Sequence, residues 1–71
     1  MVVLENESDI VMYYRKNLIK RIKYGDVWFD AVELVKTIAG EMETNEIEAL
    51  YYLIDMNNGK LEVEIREGHS K

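Results

Sequence analysis

The sequence predicts a mainly helical α+β fold, in which three helices precede a short C-terminal β-strand or small hairpin. Apolar residues recur three and four positions apart, and a capping residue precedes each such stretch. Apolar and charged residues then alternate over 61–66, which is typical of a half-buried strand. We therefore expect helices near 9–24, 30–39 and 45–56 and a strand near 61–66.

The first helix is expected to follow an N-cap at Ser8 or Asp9 and to end near Tyr24, with Gly25 just beyond it. Its apolar stripe recurs every four residues at Ile10, Tyr14, Leu18 and Ile22, and Val11 and Ile19 widen it. Before the helix, Val2–Leu4 is either a short strand or a loose tail.

The second helix is expected to begin at the cap Asp30, after the β-prone segment Val27–Phe29, and to end at Gly40. Thr44 or Asn45 is expected to cap the third helix, and Glu48, three residues after Asn45 as in a capping box, favours Asn45. The inner face of the third helix is predicted to be Ile47, Leu50, Tyr51 and Ile54. The predicted core residues are Ile22, Leu34, Leu50, Ile54 and Val63.

The length of 71 residues predicts one domain over 1–71, with frayed ends at 1–8 and 67–71. The absence of cysteine excludes disulfides and thiolate metal sites and points to the cytoplasm. Apolar runs are far shorter than the ~20 residues of a membrane span, and the start of the chain lacks a secretory signal. We expect a cytoplasmic protein that does not enter a membrane.

No residue pattern predicts catalysis, a metal site, a cofactor or a small-molecule substrate. His69 is the single histidine, and it lies in the predicted tail without an orienting partner. The carboxylate pairs, such as Glu62 and Glu64, are expected on solvated faces, where their pKa values are not tuned for acid–base work. The chain is therefore predicted not to be an enzyme.

The net charge is −5, but residues 15–23 contain five cations and no acid. In the predicted first helix these cations form one basic face, which could contact a phosphate backbone without sequence selectivity. The alternative is that they solvate the helix and stabilise its C-terminus. The candidate nucleic-acid contacts are Arg15, Lys16, Lys20, Arg21 and Lys23.

The third helix favours a protein partner, because Ala49–Ile54 is apolar nearly all the way round. A small core cannot bury every side of this helix, so Tyr52 and Leu53 are expected to be exposed, where tyrosine is common in interfaces. The alternative is that Tyr51 packs inside and Tyr52 lies on the surface without a role. The candidate interface residues are Glu48, Tyr51, Tyr52, Leu53, Asp55 and Leu61.

The element order resembles a winged-helix domain, with Val27–Phe29 paired to Leu61–Ile65 and the third helix in the position of a recognition helix. The runs Ile47–Leu53 and Gly59–Glu64 are similar to the C-terminal winged helix of the prokaryotic kleisins, the subunits that close SMC ATPase heads. Trp28-Phe29, ahead of the second helix, stands where that family has an aromatic residue. The chain lacks that family's Gln after the strand, its Phe-Gly-Asp-Ile ending, and its N-terminal domain and linker.

The resemblance implies a DNA-binding or chromosome-segregation role, but the third helix carries no cation to present to DNA. A plain three-helix bundle with a C-terminal strand is the competing fold. We predict an interaction module that docks its third helix and strand edge on a protein partner or on a second copy. Nucleic-acid binding through the first helix is the alternative.

Overall fold

The computed structural model describes residues 1–66, which form three helices packed on one face of a four-stranded antiparallel sheet. The sheet order is β1-β4-β2-β3. The elements in chain order are β1 (Val2–Leu4), α1 (Glu7–Arg15), β2 (Ile19–Tyr24), β3 (Val27–Asp30), α2 (Ala31–Met42), α3 (Glu46–Met56) and β4 (Leu61–Ile65). The three expected helices and the C-terminal strand are present, but the sheet is larger than predicted.

The predicted first helix over 9–24 is wrong in its second half. Helix α1 ends at Arg15, Asn17 adopts a left-handed conformation with φ 60°, and strand β2 follows. A bulge between Ile19 and Arg21 breaks the two-residue alternation of β2, so Ile19 and Ile22 both face the core. A helix also places residues three positions apart on the same face. The spacing of Ile19 and Ile22 was therefore mistaken for a continuation of the first helix.

The predicted pairing of Val27–Phe29 with the C-terminal strand is also wrong. Strand β3 pairs with β2 in a tight hairpin, and β2 in turn pairs with β4. Gly25 lies in the hairpin turn with φ 69°, rather than at the end of a helix.

Helices α2 and α3 follow the predicted capping signals closely. The side chains of Asp30 and Asn45 accept hydrogen bonds from backbone N–H groups three residues later, at 3.1 and 2.8 Å. Helix α2 passes through Gly40 and ends at Met42, because Glu43 takes the left-handed conformation that closes the helix.

The predicted core is confirmed, since each of its five residues is buried. The side chains with at most 2% exposure also include Ile10, Ile19, Leu53, Leu61 and Val35. The sheet face away from the helices carries the outward residues of β2 and β4, which are charged.

The predictions of frayed chain ends have different outcomes at the two termini. The frayed start expected over 1–8 is replaced by strand β1, which pairs with β4, and by the first residues of α1. The expected tail at 67–71, with His69, lies outside the described residues. None of the helices within 1–66 has the length and apolar character needed to cross a membrane.

Candidate protein-interaction surface

Helix α3 has one buried face and one exposed face. Ala49, Leu50, Leu53 and Ile54 are buried, and Ile47 is half-buried. The outward side chains, which we call the α3 face, are Glu48, Tyr51, Tyr52, Asp55 and Met56. Two of them, Tyr51 and Tyr52, are 37% and 40% exposed. The α3 face therefore presents two aromatic rings between two carboxylates.

Two predicted interface residues are unavailable to a partner. Leu53 has 0% exposure, because it lies one turn from both Ala49 and Leu50 on the inward face of α3. Leu61 has 1% exposure and lies opposite Leu4 on the helix-covered side of the sheet. Tyr51, expected on the inner face of α3, is instead partly exposed.

The predicted strand-edge contact is not available either. Strand β4 is flanked by β1 on one side and β2 on the other, so its backbone groups are already paired. The edges of the described sheet are β1 and β3. The interface predicted at the third helix and strand edge is thus reduced to the α3 face.

A shallow groove of about 510 Å³ runs along α1 and is bounded on its α3 side by Tyr51, so it adjoins the α3 face. Its α1 wall consists of residues at the spacing of one helix face, and Tyr51 forms the α3 wall. The lining residues are Ser8, Val11, Met12, Arg15, Lys16 and Tyr51. Met12 is 43% exposed and was missed by sequence reasoning, because its role depends on where α3 packs.

A hydrogen bond fixes α1 against α3 beside the groove. The Tyr14 hydroxyl donates to the Glu46 carboxylate over 2.6 Å. Burial raises the pKa of Tyr14 well above its usual value, and the bond to Glu46 raises it further. Glu46 therefore links α3 to α1.

The five cations of residues 15–23 do not form one helix face. Arg15 and Lys16 lie at the end of α1 and line the groove, whereas Lys20, Arg21 and Lys23 lie on β2. The basic helix expected from the sequence is therefore divided between two elements.

Two cations of β2 are paired with carboxylates of β4 on the outer face of the sheet. The Arg21 guanidinium lies 2.7 Å from the Glu64 carboxylate, and the Lys23 ammonium lies 3.7 Å from that of Glu62. The hydrogen bond from Arg21 lowers the pKa of Glu64. Lys20 lines a surface depression together with Met1, Val2 and Glu64.

The described residues contain no group of three or more carboxylate or histidine side chains placed to hold a metal ion. Comparison of the chain with protein-family models, curated proteins and solved structures finds no match in any of the three. The α3 face and the groove are therefore interpreted from their own residues.

Proposed function

We propose that this chain is a non-enzymatic protein-interaction module that acts in the cytoplasm and docks through the α3 face and the adjoining groove. The observation that supports this most is that the neighbouring helices α1 and α3 both expose large apolar side chains. Met12, Tyr51, Tyr52 and Met56 are each 37–56% exposed. Tyrosine and methionine are enriched in protein interfaces, where their side chains bury a large area.

A winged-helix relationship remains part of the proposal. The order α1, hairpin, α2, α3 and β4 shares the sequence of three helices and a final strand with that class, and it differs in having a two-stranded hairpin where the class has one strand. Under this proposal α2 and α3 form the helix-turn-helix pair, and α3 contacts a protein instead of DNA. A role in chromosome segregation, as the kleisin resemblance implies, belongs to the same proposal.

Nucleic-acid binding is the alternative function, and the charge arrangement gives it less support. Arg21 and Lys23 already face carboxylates, so binding a phosphate backbone through them competes with existing ion pairs. Glu48 and Asp55 lie on the α3 face next to the groove that Arg15 lines, and each acid repels phosphate.

A photocrosslinking amino acid tests the proposed surface. We expect benzoylphenylalanine at Tyr52 to form discrete protein adducts in the cells that naturally produce the chain. The matched control is the same substitution at Phe29, which is also aromatic and 38% exposed but lies on the edge strand β3. Adducts from the Tyr52 position alone would support the proposal. An absence of adducts, or equal adducts from both positions, would contradict it.

A further inference from the structure

We propose that the partner bound by the α3 face and groove is a second copy of this chain. The inference rests on the proposed function and specifies the partner. It depends on the distribution of charge across α1 and α3, which is complementary to itself.

The surface carries both signs of charge on separate helices. Arg15 and Lys16 lie on α1 at the groove, and Glu48 and Asp55 lie on the α3 face. In a two-fold symmetric dimer, the same patch of each protomer contacts the other, so α1 of one chain lies opposite α3 of its partner. Each chain then supplies cations to the partner's carboxylates and receives the reverse contact.

These charges remain available for such contacts. Within residues 1–66, neither Arg15 nor Lys16 forms an ion pair, whereas Arg21 and Lys23 on the sheet both do. Two of the three cations of β2 are thus paired inside one chain. The two cations beside the groove are available to carboxylates of another chain.

The apolar residues supply the centre of the same interface. Tyr51 and Met12 line the groove together with Arg15 and Lys16, and Tyr52 is exposed beside Tyr51 on the α3 face. An apolar centre with a charged rim is the usual anatomy of an interface, in which the rim sets orientation and partner choice. A domain of 71 residues also gains stability from a bound partner, because only the folded chain binds.

Other partner chemistries fit this surface less well. A uniformly acidic segment satisfies Arg15 and Lys16 but meets Glu48 and Asp55 with like charge. A uniformly basic segment satisfies Glu48 and Asp55 but meets Arg15 and Lys16 with like charge. A second copy satisfies all four residues at once.

Charge reversal with complementation tests the proposal by sedimentation equilibrium. We expect the wild-type chain to be a dimer, and the double variants Arg15→Glu/Lys16→Glu and Glu48→Lys/Asp55→Lys to be monomers. Mixed in equal amounts, the two variants should form a heterodimer. The control Lys20→Glu/Lys60→Glu changes the net charge equally on exposed residues away from the groove and should leave the dimer intact.

A neutral variant protects the test against unfolding. Acids at the C-terminus of α1 also oppose the helix dipole, so Arg15→Glu/Lys16→Glu can weaken the fold itself. Arg15→Gln/Lys16→Gln avoids this effect and should weaken dimerisation about tenfold or more. Circular dichroism of each variant confirms that the monomers are folded.

Three results would overturn the proposal: a monomeric wild type at millimolar concentration, a dimer unaffected by both double variants, or no dimer on mixing the variants. The proposed function is judged separately. A Tyr52 crosslink to a different protein, together with a monomeric wild type, would support the module and reject the second copy. If neither the crosslinking nor the sedimentation experiment detects a partner, both the interaction module and the dimer are rejected.

Discussion

Leu50 lies at the centre of the buried face of α3 and has 0% exposure. We expect Leu50→Ala to lower the free energy of unfolding by about 2–5 kcal/mol, because it leaves a cavity in the packed core. Urea denaturation measures the change, and Met42→Ala, at an exposed position of α2 outside the α3 face and the groove, is the control. A melting temperature unchanged by Leu50→Ala would show that α3 is oriented the other way round.

The Tyr14 hydroxyl is expected to stabilise the contact between α1 and α3. We expect Tyr14→Phe to cost about 1 kcal/mol of unfolding free energy, because the substitution removes the bond to Glu46 and keeps the ring. Tyr13→Phe is the control, because the structure gives the Tyr13 hydroxyl no side-chain partner within residues 1–66. Equal effects of the two substitutions would contradict the role of this hydrogen bond.

The ion pair between Arg21 and Glu64 should make a small part of the stability depend on pH. The pKa of Glu64 is lowered in the folded state, so its contribution is present above the usual carboxylate value of 4.5 and is lost as the pH falls through the lowered pKa. Melting temperatures of the wild type and Glu64→Gln should therefore converge as the pH falls from 7 to 3. A difference that stays constant over this range would contradict the pairing.

At the scale of elements, the main difference between the structure and the predicted first helix is the boundary between α1 and β2. Asn17 has φ 60°, a conformation that glycine adopts freely. We expect Asn17→Gly to leave stability unchanged or slightly raised. In an uninterrupted helix the same substitution would cost several tenths of a kcal/mol.

The matched control for this boundary is Lys36→Gly, an exposed position within α2. It should lower the unfolding free energy by about 1 kcal/mol, because glycine weakens a helix interior. Equal losses from both glycine substitutions would indicate that α1 continues through residue 17. Backbone chemical shifts across 19–24 provide an independent measurement, and they should show a strand.

Elements stabilised by local signals were predictable from the sequence, and those that depend on distant pairing were not. Asn45 caps α3 through its own neighbours, and the alternation over 61–65 identifies β4 without knowledge of the rest. Strand β2 was missed because its bulge places Ile19 and Ile22 at helical spacing. Strand β1 was left open because three residues carry too little pattern to distinguish a strand from a tail.

At the scale of the whole molecule, part of the exposed surface that we propose as an interface was predictable. Helical spacing and residue type identified Tyr52 and the carboxylates beside it on α3. Leu53 and Leu61 were wrongly included, because their burial depends on the packing of the sheet and helices. The groove wall contributed by Met12 was missed for the same reason, since the arrangement of α1 against α3 is a tertiary feature.

The distribution of cations over the whole molecule distinguishes the protein-interaction function from the nucleic-acid-binding alternative. If the chain bound nucleic acid mainly through its cations, the variant with Arg15, Lys16, Lys20 and Lys23 all changed to Gln would lose that binding, and wild-type affinity would fall steeply with salt. We expect no such binding, because the cations are divided between α1 and β2 within an acidic chain.

The central claim is that the α3 face and its groove form a protein interface, and the most direct test is mass by light scattering at low salt, with and without duplex DNA. We predict that the wild-type chain has the mass of two chains, that DNA leaves this mass unchanged, and that Tyr52→Asp gives a folded single chain. The claim would be contradicted by a mass that rises with DNA and falls back to its DNA-free value at high salt, if the Tyr52→Asp variant behaves in the same way.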